Sequence, residues 1–230
     1  NSLRTDRRLR IGYVSPDFRV HSVAFFIESV IRVHNRENVE IFCYANVKKP
    51  DKITRRLQAA ADHWFSILGL EHATVAARIR EDRIDVLVDL AGHTRYNSMP
   101  VFTLKPAPVL VTWLGYPNTT GLRAMDYRLT DAVADPAGEA DNLHSEELIR
   151  LKHGFLCYQP MASAPKDGPL PCQERGYITF GSFNNLTKVT VEVIKAWARI
   201  LHAVPDSQLL LKAKQLGDDE IRIRFKEMFV

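Results

Sequence analysis

Val111-Thr112-Trp113-Leu114-Gly115-Tyr116-Pro117-Asn118-Thr119-Thr120-Gly121 is a short apolar strand that runs straight into a polar turn. Gly115 and Gly121 open backbone conformations closed to other residues and let a ligand come close to the main chain. Pro117 fixes φ and stiffens the turn. Asn118, Thr119 and Thr120 add amide and hydroxyl groups that can bind a polar ligand. Alone, such a turn is equally a connector with local hydrogen bonds. A Gly-bearing loop at the carboxyl end of a strand is also where open α/β sheets place their ligands. The surrounding chain has to decide between the two.

Working outward, apolar β-rich runs alternate with helical patterns. Strands are expected at Leu9 to Ser15, Val39 to Val47, His63 to Leu68, Ile84 to Leu90, Val109 to Leu114, Tyr127 to Thr130 and Leu148 to Leu151. Helices are expected from Ser22 to His34, with Val23, Phe26, Ile27, Val30 and Val33 inward, from Pro50-Asp51 to about Asp62, and from Ala73 to Glu81. Ile84 to Leu90 is nearly continuous apolar, as a strand buried on both faces should be. This alternation predicts an α/β fold with a mostly parallel sheet. From Gln159 to Cys172 the chain carries Pro160, Pro165, Pro169 and Pro171 with no periodicity, the composition of a linker. Tyr177 to Phe180 then begins a second α/β half, followed by a polar loop, an N-cap at Thr190, a helix to Ala203 and a strand from Gln208 to Lys212. The expected organisation is residues 1–158 as an N-terminal Rossmann-like half, 159–175 as linker and 176–230 as the start of a second half.

Composition sets outer limits. The 230 residues carry a formal charge of +4, with no Lys/Arg block interleaved with aromatics, which argues against a nucleic-acid binder. No apolar run is long enough to span a bilayer. Three cysteines, Cys43, Cys157 and Cys172, lack metal-ligand spacing and read as free thiols in a reducing, cytoplasmic compartment. The opening Asn1-Ser2-Leu3-Arg4 and the helical pattern still running at Val230 read as cuts from a longer chain.

Four polar loops each follow a strand. The first carries Asp17 and His21, the second His93 and Asn97, the third Gly115 to Gly121, and the fourth Asn185 and Lys188. In a parallel sheet the first three share one edge and would converge on one crevice. Lys188, just before a helix N-terminus, suits a phosphate through its point charge and the helix's free N–H groups. Singly, His21 and His93 read as cap or surface residues, Asp17 as a turn residue and Lys188 as a solvated side chain. Together they suggest a nucleotide diphosphate ligand. No Gly-x-Gly-x-x-Gly, Gly-Lys-Ser/Thr, Gly-x-Ser-x-Gly or His-Glu-x-x-His pattern occurs, which weakens dehydrogenase, NTPase, serine-hydrolase and zinc-protease readings.

Ile11-Gly12-Tyr13-Val14-Ser15-Pro16-Asp17-Phe18 with His21-Ser22, Gly92-His93-Thr94, Pro106-Ala107-Pro108-Val109, Trp113 to Gly121, Asp126-Tyr127-Arg128, Thr130-Asp131, and Gly181-Ser182-Phe183-Asn184-Asn185-Leu186 with Lys188 together resemble the catalytic region of the protein O-linked N-acetylglucosamine transferase family. The likeness is nearest to its SPINDLY-like and bacterial tetratricopeptide-linked branches. The resemblance implies a GT-B glycosyltransferase with two Rossmann-like halves, moving a sugar with inversion from a nucleotide-sugar to Ser or Thr hydroxyls of proteins. It implies catalytic roles for His21, His93 and Lys188, with Lys188 contacting the phosphate. Asp17, Asn97, Gly115, Tyr116, Pro117, Asn118, Thr119, Thr120 and Asn185 would bind the nucleotide-sugar, the Gly115 to Gly121 loop through its backbone. Thr187 stands where animal members carry Tyr. No metal and no cofactor are implied. The donor is UDP-N-acetylglucosamine or, in the SPINDLY branch, GDP-fucose. Tetratricopeptide repeats and the base-binding part of the second half are expected outside these residues, so this stretch alone should bind nucleotide-sugar weakly and turn over little. A non-catalytic α/β interaction module is the alternative of a different class.

Overall fold

A computed structural model describes residues 7–160 and 164–229. The chain divides into two compact units, Asn1–Ala162 and Ser163–Val230. The first is built on a seven-stranded sheet: β1 (Leu9–Ser15), β2 (Val39–Ala45), β3 (His63–Ser66), β4 (Val86–Asp89), β5 (Val109–Thr112), β6 (Tyr127–Thr130) and β7 (Glu147–Arg150). Every pairing is parallel, in the order β3-β2-β1-β4-β5-β6-β7. The chain moves outward from β1 to β3, then returns to the far side of β1 with β4. That reversal puts a topological switch point between β1 and β4, where connections leave to opposite faces and a crevice opens at the carboxyl ends.

Side-chain alternation explains why both faces are buried. Tyr13, Val88 and Val111 join one apolar cluster with α1 (Ser22–Val33) and α2 (Lys52–Ala60). Their neighbours Val14, Leu87 and Leu110 join the other, with α3 (His72–Glu81) and α4 (Met99–Thr103). In α1 the buried stripe is Val23, Ala24, Ile27 and Ile31, and Val33 is exposed. The expected inward set was out of phase at its end: the i, i+4 row from Val23 passes through Ile31, which turns Val33 outward. α3 buries Val75, Ala76 and Ile79, as its periodicity predicts. The short helix α4 gives no periodic signal in five residues, and the sequence reading passes over it.

The second unit contains α5 (Pro171–Arg175), β8 (Thr179–Ser182), α6 (Val191–Ala203), β9 (Gln208–Leu211) and α7 (Asp219–Glu227). α5 falls inside the stretch read as linker. Pro171 starts it at the position where a missing N–H costs nothing, and Gly176 at φ 76° ends it. β8 and β9 pair in parallel and α6 connects them, a single βαβ unit. Thr190 caps α6, accepting from the Val193 N–H. Inside α6 the buried residue is Ile194, and Ile200 is exposed.

Candidate active site

In the first unit the loops after β1, β4 and β5 leave one edge side by side. Val14 pairs with Asp89 and Asp89 with Thr112. The loops are also locked to each other by close backbone approach. A Cβ on Gly115 would lie 2.0 Å from the Leu90 carbonyl oxygen, and one on Gly92 would lie 2.2 Å from Tyr116 Cβ. Gly92 has φ +52°, and Leu114, a branched residue, is held at φ +67°, in the left-handed region that such residues avoid.

In the β1 loop Asp17 is buried and bonds Arg19 at 3.0 Å, while its backbone N–H donates to Ser15 Oγ. His21 caps α1: its Nδ1 accepts the Val23 N–H at 3.3 Å. Asp17 Oδ2 stands 3.6 Å from the same nitrogen. While Nδ1 accepts, the proton of a neutral His21 is on Nε2, which is then a donor.

His93 has the opposite arrangement. Its Nε2 lies 2.7 Å from the Thr120 carbonyl oxygen. A carbonyl only accepts, so Nε2 carries the proton and Nδ1 presents a lone pair. The ring also meets Tyr116 edge-on at 5.4 Å. Asn97 in the same loop is spent locally: it donates to Thr94 O and accepts from Met99 N–H.

Beneath His93 lies a group that the apolar reading of Ile84 to Leu90 passed over. Asp89 is fully buried at the end of β4 and accepts from Ala91 N–H, Gly92 N–H and Thr112 Oγ1. Burial pushes its carboxyl up to about 6, more than those three donors and nearby His93 can offset. A folded value above the ordinary 3.8 means that the folded state favours the protonated form. The stability tied to that proton is complete below about pH 4 and is lost as pH rises through about 6. Asp89→Asn cannot titrate. Wild-type stability measured relative to that variant should therefore fall by on the order of 2–3 kcal/mol between about pH 4 and pH 7, as chemical denaturation at the two pH values would read. A constant difference would show that Asp89 stays ionised throughout.

The Gly115 to Gly121 loop is held from below. Arg128 Nη1 donates to the Tyr116 and Asn118 carbonyls at 2.9 and 3.0 Å. Glu146 accepts from the Thr120 N–H, the Thr120 hydroxyl and the Thr119 hydroxyl. Burial works to raise the Glu146 carboxyl, but the Thr120 and Thr119 bonds outweigh it and hold it below the ordinary value. The two threonine hydroxyls, expected to face a ligand, are thus engaged inward, and Thr120 is buried. Asn118 Oδ1 takes the Thr119 N–H and Thr119 Oγ1 takes the Gly121 N–H. Gly115 N–H is bonded to Trp113 O. Pro117 has no N–H, so the loop's backbone donors without a partner among the described residues are those of Tyr116 and Asn118. Arg128 and Glu146 were not among the expected site residues. A charged residue inside a short β-strand, as Arg128 is in Tyr127–Thr130, was the available signal, because arginine is buried only with partners.

In the second unit Asn185 caps a single turn, Leu186–Lys188, and its Oδ1 accepts from Thr187 N–H and Gln215 Nε2. Lys188 is exposed two residues before the Thr190 cap of α6, with no ion pair among the described residues. Among the described residues no cluster of three or more His, Cys, Asp or Glu could hold a metal ion.

A parallel sheet of this order, with interlocked Gly-bearing loops and two histidines at its switch point, defines a Rossmann-like ligand-binding half of the kind that nucleotide-sugar transferases use. The glycosyl transferase family 41 model matches residues 1–162, and the chain belongs to that family. It is 47% identical over 229 residues to the probable UDP-N-acetylglucosamine–peptide N-acetylglucosaminyltransferase SPINDLY of Solanum lycopersicum, covering 98% of this chain and 24% of that protein. It is 36% identical to the corresponding SEC protein of Arabidopsis thaliana, covering 94% of this chain and 23% of that one. A mutant of the Thermobaculum terrenum O-GlcNAc transferase superposes with a TM-score of 0.89 at 41% identity, over 97% of this chain and 42% of that one. The chain therefore spans about a quarter of the length of the curated relatives it matches. The α/β architecture expected from the sequence is that of this O-GlcNAc transferase fold.

Proposed function

We propose that this chain is part of the catalytic region of an inverting protein O-glycosyltransferase that moves N-acetylglucosamine from UDP-N-acetylglucosamine to Ser or Thr hydroxyls. The observation that carries the reading is the opposed hydrogen bonding of the two histidines on neighbouring loops. His93, with Nε2–H fixed on Thr120 O, offers Nδ1 as a proton acceptor for an attacking hydroxyl. The buried carboxyl of Asp89 lies close enough to His93 for the two to interact, which favours the ionised carboxylate against the effect of burial. His21, with Nδ1 occupied, is suited to donate and orient. Lys188 would neutralise charge on the departing diphosphate, a role that rests on the family resemblance, as does the absence of a metal requirement. The relatives described above are named for N-acetylglucosamine transfer, and nothing in those names favours GDP-fucose. No helix among the described residues is long and apolar enough to cross a membrane, and Cys43, Cys157 and Cys172 are free thiols, which supports a reducing, cytoplasmic setting.

The test is mass spectrometry of acceptor protein incubated with the full-length protein and each nucleotide-sugar. An N-acetylhexosamine adduct from the UDP donor is expected. A deoxyhexose adduct from the GDP donor alone would replace the donor assignment. In the same protein His93→Ala should lower kcat by roughly 10²-fold, the usual worth of a general base, with donor KM little changed. Undiminished turnover would remove His93 from the chemistry.

A further inference from the structure

We infer that Glu146, reaching back from the turn before β7, is a positioning residue that fixes the ligand-facing shape of the Gly115 to Gly121 loop, with Arg128 as its counterpart on the opposite stretch. The assignment rests on the proposed transfer reaction only for its kinetic consequence. Its structural part stands on the loop itself.

From Tyr116 to Gly121 no backbone N–H bonds a backbone carbonyl among the described residues. A turn without internal main-chain bonds has no conformation of its own to fall back on. This one also begins with Leu114 at φ +67° and ends with Gly121 at φ +67°, a left-handed value that is costly for leucine and open to glycine. Beyond the local bonds from Asn118 Oδ1 and Thr119 Oγ1, its shape is set by side chains brought from elsewhere. Arg128 gathers two carbonyls at the Tyr116–Asn118 end. Glu146 gathers three donors at the Thr119–Thr120 end. His93 joins the second set through Thr120 O. Glu146 is thus one residue removed from the proposed base: it fixes Thr120, and Thr120 fixes the His93 ring and its tautomer. Ser145 Oγ also reaches Glu146, at 3.2 Å, and the Ser145 N–H bonds Thr119 Oγ1, so the turn before β7 and the loop are stitched twice.

A carboxylate beside a site for an anionic donor would be a liability if it faced that donor. Glu146 is buried and its oxygens are already filled by loop donors, so its charge is directed into the protein. It acts on the ligand only through the loop.

The test uses Glu146→Ala and Glu146→Gln in the full-length protein. In the alanine variant, amide hydrogen exchange should quicken at Thr120 and across Tyr116 to Gly121, while β4 and β5 keep wild-type protection. Donor KM should rise about tenfold as the loop loosens, and kcat should fall about tenfold, less than in His93→Ala, because the base remains but its ring is no longer fixed. Glutamine keeps one oxygen for Thr120 and should recover most of both losses. Wild-type exchange in the loop of Glu146→Ala would overturn the assignment whether or not the protein transfers sugar. So would an alanine variant whose activity falls only in step with its folded fraction. Absence of transfer by the wild type, with the loop loosened in the variant, would instead reject the proposed reaction and leave Glu146 as the loop's support.

Discussion

Alanine at Gly115 is expected to lower the melting temperature of the first unit by about 6–12 °C, from a cost of at least ~3 kcal/mol. The reason is contact with backbone rather than with a side chain that could swing away. The new Cβ would stand 2.0 Å from the Leu90 carbonyl oxygen and 2.9 Å from Ala91 Cα. Leu90 is fully buried and its N–H is bonded to Val14 O, so it cannot retreat without breaking the β1–β4 pairing. Either the sheet edge opens or the loop lifts off the β4 loop. The second outcome also separates Tyr116 from His93 and should abolish the donor binding proposed for this site. Gly121→Ala is the internal control. Gly121 sits at φ +67° with open space around it, so alanine there pays only for a left-handed backbone, roughly 1–2 kcal/mol. Thermal unfolding of the two variants side by side separates close approach from conformational strain. Equal, small shifts would show that the β4 and β5 loops are not interlocked.

That contrast bears on how far the sequence could be read. The alternation of apolar runs with helical patterns located all seven strands of the first unit, because a parallel sheet buried on both faces needs such runs. The site-bearing loops followed, since their glycines and prolines come directly after those runs. What holds the loops together was not legible. Asp89 lies within the nearly continuous apolar run Ile84 to Leu90, whose pattern gives a lone acid there no role, yet it is fully buried and bonded to the next loop. Glu146 lies 26 residues beyond Thr120 in a stretch with no periodicity, and its partners are fixed only once β6 and β7 align. The threonines gave a reversed signal. Ser, Thr and Asn in a Gly-rich turn suggest groups offered to a ligand, but the fold uses the two Thr hydroxyls to anchor the turn. Asn97 likewise serves its own loop. Local pattern tells where a loop is. Whether its polar atoms face inward or outward depends on charged residues elsewhere that compete for them.

Arg128 shows that competition most strongly, and its removal is the second large effect expected. The side chain is buried, with Nη1 on two loop carbonyls and Nε 3.5 Å from Asp135 Oδ2. Asp135 is itself buried, and its carboxylate also meets the Thr130 hydroxyl and, at 3.9 Å, His144 Nε2. Arg128→Ala therefore leaves a cavity, two unbonded carbonyls and a buried carboxylate without its cation. Breaking a buried pair from one side costs roughly 3–5 kcal/mol, and urea denaturation should read a loss of that size. Lysine keeps the charge but not the fork that reaches Asp135 and both carbonyls together, so Arg128→Lys should recover no more than about half. The deciding variant is the double one. If stranded charge dominates, Arg128→Met with Asp135→Asn should be more stable than Arg128→Met alone by at least ~1 kcal/mol, a coupling that independent sites do not show. Additive losses would mean that Arg128 acts chiefly through the loop carbonyls. Donor affinity in the double variant would then stay as low as in Arg128→Met, because nothing in it restores the bonds to Tyr116 and Asn118.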